Sequence, residues 1–467
     1  MVAPWDRRSD DDRARIEAAT LARWLPGAVT AAPFHAARVG DIDDRLLVDR
    51  RGLQRLAPTR ERDLLADGAG GGSAVLRPNE QQVKATADDS VIVGIARAIR
   101  RDGTGGKRDA LVREYRPLQL HRGGVAGELL VASTRSDLDR QHRVGARAAA
   151  VLGLREDDVL VSALPAGPTL DHLGVVHLAT GAALTALHAR GVGDDLTTVA
   201  AAAARLPVTV LVVAAHEADV LAAVLREERT ELRELRTVVS VGPPPTAQQR
   251  AATIDAFRRA GADREVAILA LWGPSVSRSL WAECVEGGGG LHTYPDLEVL
   301  EVLDPLTGRV TDGDGDLTLT SAGWHGTVHL RFQTGTWVDP LTTDPCPGCG
   351  RDVPRLVGDL VPHAWELPVA LDGGVRGTID LRGIAAVVTR TSWVTAWRAE
   401  LRGPDERVPR DRLVVELAGT GPRSDTGRLE RALEAATGLA PEVIAGVHED
   451  EVVRGIDAAG GVLADRR

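Results

Sequence analysis

Val208-Thr209-Val210-Leu211-Val212-Val213, Val238-Val239-Ser240-Val241 and Glu265-Val266-Ala267-Ile268-Leu269-Ala270-Leu271 are short β-branched or apolar runs, and Ala-rich helical patterns separate them at Ala218 to Arg226 and Ala247 to Ala260. Strand alternating with helix is the signature of an α/β body with a largely parallel sheet. The same alternation extends upstream. Leu129 to Ala132 and Val159 to Ala163 read as strands, and Leu138 to Leu152 and Leu196 to Arg205 as helices. Farther upstream, Leu53 to Leu65 reads as a helical connector and Gly68 to Ser73 as a flexible surface loop.

Downstream of Leu291 the pattern turns strand-rich, with runs at Leu297 to Leu303, Leu317 to Ser321 and Val328 to Phe332. This predicts a β-rich subdomain at about 285–357 that closes a large domain spanning 1–357. The tail carries strands at Ile384 to Thr389, Leu413 to Leu417 and Glu442 to Val447 and a helix at Asp425 to Thr437. It predicts a small α+β domain over 381–467, joined through a hinge at 358–380. A chain of 467 residues has room for both, because single cores stop growing before about 300 residues.

The formal net charge of -10 argues against a general nucleic-acid partner. The longest apolar runs fall far short of the roughly 20 residues that span a bilayer, so no membrane partner is expected. Met1 to Arg15 is charged and lacks the apolar stretch of a signal peptide, and a cytoplasmic location is expected. Only Lys84 and Lys107 are lysines among 56 basic residues, so a single arginine standing for a lysine carries little meaning.

All three cysteines fall in one region: Cys284, then Cys346 and Cys349 in the turn Cys346-Pro347-Gly348-Cys349. Two thiolates of a CxxC turn grip one ion, and a tetrahedral zinc needs two further ligands, which Cys284 and His292 can supply. A redox pair or plain buried thiols are the alternatives. A redox CxxC opens a helix after a strand, whereas this one reads as a knuckle between β segments. Asp171, His172 and His177 form a second candidate set, in which Asp171 would orient His172 for acid/base work; buried histidines that merely satisfy packing are the bland alternative. Trp393 and Trp397, four apart as on one helix face, read as core.

Four segments in order, Trp281-Ala282-Glu283-Cys284, Gly290-Leu291-His292, Arg331-Phe332-Gln333-Thr334-Gly335 and Cys346-Pro347-Gly348-Cys349-Gly350-Arg351, resemble the zinc-bearing phenylacetate-CoA ligases of the adenylate-forming superfamily. Ala32-Pro33-Phe34-His35, Thr134-Arg135-Ser136-Asp137-Leu138 and the terminal Asp465-Arg466-Arg467 extend the resemblance over nearly the whole chain. It implies an adenylate-forming large domain with a small α+β C-terminal domain, a structural zinc, and acyl-adenylate formation from ATP and magnesium before transfer to coenzyme A.

The departures from that family are concentrated in its nucleotide-handling residues. The Ser/Thr/Gly-rich phosphate loop falls on His121-Arg122-Gly123-Gly124-Val125-Ala126-Gly127-Glu128, where the hydroxyls and lysine are gone and Glu128 would repel phosphate. The adenine loop falls on Gly242-Pro243-Pro244-Pro245, and the Tyr-Gly-x-Ser-Glu motif on Trp272-Gly273-Pro274-Ser275-Val276, where valine cannot bind magnesium. The ribose aspartate falls on Thr336, an arginine on Gln333 and the terminal catalytic lysine on Ala459. A vestigial nucleotide pocket is therefore expected at Gly123, Gly124, Gly242, Trp272, Gly273, Ser275, Gln333 and Thr336, with ATP and magnesium binding doubtful. The expected partner is a small aryl or acyl ligand, free or carrier-bound, in a protein that can be a homodimer. An enzyme that uses the old pocket for other chemistry in a biosynthetic pathway, an active ligase with displaced groups, such as Glu283 or Glu286, and a non-catalytic scaffold are the alternatives.

Overall fold

The computed structural model describes residues 4–39, 46–66, 70–79, 114–124, 127–263, 265–286, 289–304, 308–358, 360–362, 366–370, 376–380, 390–404, 408–419, 423–459 and 463–466, and positions 82, 96, 384, 387 and 388 besides. The chain divides into two compact units, one of 1–334 with 338–359 and one of 335–337 with 360–467.

The first unit opens with helices α1 (Asp10–Ala31), α2 (Pro33–Val39), α3 (Arg50–Leu53) and α4 (Glu61–Leu65). The expected continuous connector over Leu53 to Leu65 is thus broken. Pro58 cannot continue a helix, and Thr59 instead makes a parallel bridge with Phe332. A hairpin of β1 (Gln119–Gly123) and β2 (Leu129–Ser133) follows. Then come α5 (Arg135–Val151), β3 (Val159–Ser162), α6 (Leu170–Gly181), β4 (Thr185–His188), α7 (Thr197–Ala203), β5 (Val210–Ala214), α8 (Ala218–Glu227), β6 (Thr237–Val241), α9 (Ala247–Arg259) and β7 (Ala267–Trp272). α5 and α9 both start on capping boxes, Thr134 with Asp137 and Thr246 with Gln249, which satisfy free N–H groups of the first turn.

β3 to β7 pair in parallel. Val161, Leu211, Val213 and Val238 pack under α8 and α9 with Phe257 and Leu221, and Leu160, Val210, Val212 and Val239 pack under α5 and α6 with Leu152 and Leu178. Burial on both faces is why these strands read as unbroken apolar runs.

The strand-rich region that follows divides between two sheets. β8 (Trp281–Glu283), β9 (Leu291–His292) and β13 (Arg355–Leu356) continue the body's sheet in antiparallel fashion, giving eight strands in the order β13-β9-β8-β7-β6-β5-β3-β4. β10 (Val299–Leu303), β11 (Gly315–Thr320), β12 (Phe332–Val338) and β14 (Val361–Pro362) form a separate four-stranded sheet. The segment at 285–357 is therefore divided between two sheets, because its strands β9 and β13 belong to the body's sheet.

The second unit contains β15 (Glu366–Ala370), β16 (Arg376–Asp380), β17 (Ala396–Arg402), β18 (Arg412–Ala418), α10 (Arg423–Thr437), β19 (Glu442–Val447), α11 (Glu449–Ala459) and β20 (Leu463–Arg466). Its main sheet runs β19-β18-β17-β20. Leu401, Leu413, Val415, Leu417, Leu429 and Leu433 lie in its core, with Trp393 and Trp397 packed against them. Trp397 sits on β17 rather than on a helix. The strand expected at Ile384 to Thr389 is helical at its described positions 384, 387 and 388, a confusion to which short apolar runs are prone. Among the described residues no helix is long and apolar enough to cross a membrane.

Candidate functional site

Two places carry the chemistry expected from the sequence. The first lies at the antiparallel edge of the body sheet. Cys284 follows β8, His292 ends β9 opposite Ala282 and Arg355, and the turn at 346–349 precedes β13. The ligand atoms of Cys284, His292, Cys346 and Cys349 all lie within 4.8 Å of one another. Zinc held by thiolates at about 2.3 Å in a tetrahedron sets its sulfurs roughly 3.8 Å apart. Cys284 Sγ and Cys346 Sγ are separated by 3.7 Å, and Cys349 Sγ and His292 Nε2 by 3.3 Å. A disulfide would require about 2.05 Å, and all three cysteines are free.

His292 Nδ1 lies 3.2 Å from the carbonyl of Ala282 and donates to it, which leaves the Nε2 lone pair facing the sulfurs. Burial, aided by the charges of Arg351 and Arg355, holds this imidazole down at about 4, in the neutral form a metal requires. Burial and the neighbouring thiolates of Cys349 and Cys346 push Cys284 well above the usual thiol range. Burial also opposes ionisation of Cys346, but backbone N–H groups of Cys349 and Gly348 outweigh it and pull that thiol down. Arg351 lies against Cys349 and donates to Asp6 Oδ2 at 2.9 Å, setting a cation beside the thiolates. A Cβ at Gly289 would come within 2.4 Å of Cys346 Sγ, so a glycine is needed where the chain passes the cluster. The donor set fits a closed Cys₃His zinc site. No helix follows the CxxC turn, which removes the geometric basis for a redox pair.

The second place is the turn after β1, where the resemblance puts a phosphate loop. Gly124 has φ +85°, and its N–H donates to Ser275 Oγ at 3.0 Å while Ser275 Oγ donates back to Gly124 O at 3.3 Å. His121 is buried, held down at about 4 chiefly by that burial, and its Nε2 lies 3.1 Å from Ser275 O. A Cβ at Gly123 would lie 2.8 Å from Ser275 O, and one at Gly124 only 2.1 Å from Glu61 Oε1. The glycines are thus occupied by protein, a hydroxyl on one side and a carboxylate on the other. Val125 and Ala126 lie outside the described residues, and Glu128 is exposed.

Glu61 had no signal in the sequence, since it is the first residue of a five-residue helix far from the loop it meets. Its neighbours explain its position. Thr59 O accepts from Gln333 N at 2.9 Å, and Arg60 Nε donates to Gln333 Oε1 at 3.0 Å. Three consecutive connector residues therefore span from β12 to the Gly124 turn.

The other remnants are likewise committed to packing. Gly242 N–H donates to Leu271 O at 3.0 Å, and a Cβ there would lie 2.8 Å from Ala215 Cβ. The ring of Trp272 packs 5.5 Å from that of Trp281, and a Cβ at Gly273 would lie 2.4 Å from Ser279 O. Val276 is buried. Glu283 accepts from Arg250 at 3.0 Å and from Ala270 N at 3.0 Å, while Glu286 is exposed. In the second unit Thr336 pairs with Pro362, and Ala459 ends α11.

The Asp171–His172 pair does not assemble. Asp171 and His172 open α6 with the hydroxyl of Thr169 accepting from His172 N, and Asp171 is exposed, whereas the His172 ring meets that of His188 edge to face at 5.2 Å. Helix geometry points adjacent side chains apart, so neighbours in sequence make a poor dyad here. His172 Nδ1 and His177 Nε2 are buried without a hydrogen-bond partner among the described residues.

No protein-family profile and no curated protein sequence matches this chain. Among solved structures it is similar to 2-hydroxyisobutyryl-CoA ligase in the postadenylation state with R3-HIB-AMP, at TM-score 0.64 and 15% identity over 99% of this chain and 91% of that one. An open conformation of the ligase with 2-HIB-AMP and CoA gives TM-score 0.62 and 15% identity over 94% and 89%. Its thioesterification state gives 0.60 and 16% over 99% and 92%. The chain has the mixed α/β fold of the adenylate-forming acyl-CoA ligases. At these identities the likeness defines the fold and leaves the chemistry to the residues.

Proposed function

We propose that this protein is a diverged phenylacetate-CoA ligase-like member of the adenylate-forming superfamily that binds a small aryl or acyl ligand, free or carrier-bound, without forming an acyl-adenylate. The observation that carries this reading is the Gly124 turn. The backbone N–H a phosphate would take is donated to Ser275, and the Glu61 carboxylate stands against the same glycine. Removing one electrostatic group from such a site costs on the order of 10² to 10³ in rate. Here the magnesium acid, the ribose acid and the terminal lysine are replaced as well, by Val276, Thr336 and Ala459. Calorimetric titration with ATP, with and without magnesium, tests this. Absence of binding in both is expected, and magnesium-dependent binding would favour an active ligase instead.

The same reading places one structural zinc on Cys284, His292, Cys346 and Cys349. With four protein ligands the ion has no open position, so its contribution is to tie β8, β9 and the knuckle together rather than to activate a substrate. The hinge at 358–380 and a small domain over 381–467 belong to the proposed organisation. Limited proteolysis should nick 358–380 or the loop at Gly68 to Ser73, whose residues 68 and 69 lie outside the described ones.

A further inference from the structure

Behind Val276, where the resemblance puts a magnesium carboxylate, the body encloses a cavity with room for about one water molecule. Arg278, Ser279, Trp324, His329 and Glu298 are among the residues that line it, with Ser277, Leu319 and Ser321 filling the rest of the wall. Arg278 is buried, and its guanidinium carbon lies over Trp324, 4.7 Å from the ring centroid. Its N–H groups donate to the carbonyls of Ala132, at 2.8 Å, and of Thr327. The carboxylate that faces it, Asp137, stands 3.9 Å away. Asp137 is already used by the N–H groups of Thr134, His325 and Gly326 at 2.9, 2.8 and 2.6 Å, and Arg140 also draws on its charge.

A buried cation whose counter-charge is distant and shared is expensive, and burial pulls Arg278 down only to about 10, so it stays charged at neutral pH. His329 is 1% exposed, and neither of its ring nitrogens makes a hydrogen bond of normal geometry with a described residue, although the Val276 backbone lies near enough to act on the ring. Buried polar atoms left so are uncommon and point to a missing partner. The carboxyl of Glu298, held towards its neutral form by burial, sets no negative charge against an anion.

We propose that this cavity is a halide site, filled by one chloride ion that completes the charge balance of Arg278 and accepts from His329. A cation is excluded by Arg278, and a polyatomic anion by size. Water would meet the hydrogen bond but not the charge. The site is therefore the inverse of the one implied at this position, an anion among cationic donors where a carboxylate would hold magnesium.

The test uses the intact, metal-loaded protein. Thermal unfolding is followed in chloride, bromide and gluconate at equal ionic strength, and a crystal is soaked in bromide. Chloride and bromide should each raise Tm by about 2–4 °C over gluconate, saturably, as ligand linkage requires. An anomalous bromide peak should stand in the cavity beside Arg278. Equal melting in the three salts with no anomalous peak there would overturn the proposal and leave a water site. Val276→Glu, which supplies a fixed carboxylate, should abolish the halide dependence. If that variant does not fold, the wild-type bromide peak still decides. The adenylation reading is untouched by either result, since nucleotide titration reports on it separately.

Discussion

The cysteine knuckle and the Gly124 turn are both tight turns that the family resemblance marks as functional, yet they differ in where their polar groups go. At the knuckle three sulfurs and one imidazole nitrogen converge within 4.8 Å of one another, the donor set that suits a metal cation. At the turn each group is answered by protein: Gly124 by Ser275, and the space beside it by Glu61. A site kept for a ligand leaves groups converging on a gap; a site kept for packing closes on itself. The same glycine letters serve both, so composition alone could not separate them.

The largest effect should come from breaking the convergent set. Cys346→Ser should lose the zinc and lower stability by several kcal/mol, because binding energy of a structural ion is folding energy. Elemental analysis and chemical unfolding check this, and a stable, fully folded protein without metal would remove the contrast.

A smaller effect concerns Glu298, buried with the Trp281 indole N–H and the Tyr294 N–H donating to it. Burial pushes its carboxyl up to about 8 from 4.5. The folded state therefore favours the protonated form. That stability is complete below pH 4.5, declines as pH rises towards 8, and is lost above it. Glu298→Gln should flatten the slope between these limits, by about 2–4 kcal/mol. Urea unfolding at pH 5, 7 and 9 measures it; parallel slopes in both proteins would contradict the assignment.

Smaller still is Gly124→Ala, where a positive φ and the approach of Glu61 should cost about 1–2 kcal/mol. If the turn serves packing, stability falls while ATP titration gives the same result as in the wild type. A variant that instead alters ATP binding would return the turn to the ligand-binding class.

Much of the body was legible from sequence because its strands are buried on both faces, as at Val208 to Val213 and Val238 to Val241, where apolar runs and Ala-rich crossovers leave little choice. The convergence of Cys284, His292, Cys346 and Cys349 was legible because cysteines are rare here and their spacing is restrictive. Legibility failed where long-range contact decides. Thr59 leaves the connector's helix to bridge Phe332, and Glu61 meets a loop more than sixty residues away. Ile384 and Val388, β-branched and buried, sit in helical backbone because the core of the second unit receives them there. Arg278 and Glu298 show in the chain only as ordinary charges, and burial is what gives them meaning.

The central claim, that the fold persists while its nucleotide chemistry does not, is tested most directly by ATP–pyrophosphate exchange across aryl, short-chain and fatty acids with magnesium present. Exchange at the no-enzyme background for every acid is the predicted result. Robust magnesium-dependent exchange with any one of them would contradict it and make the protein a working ligase with displaced catalytic groups.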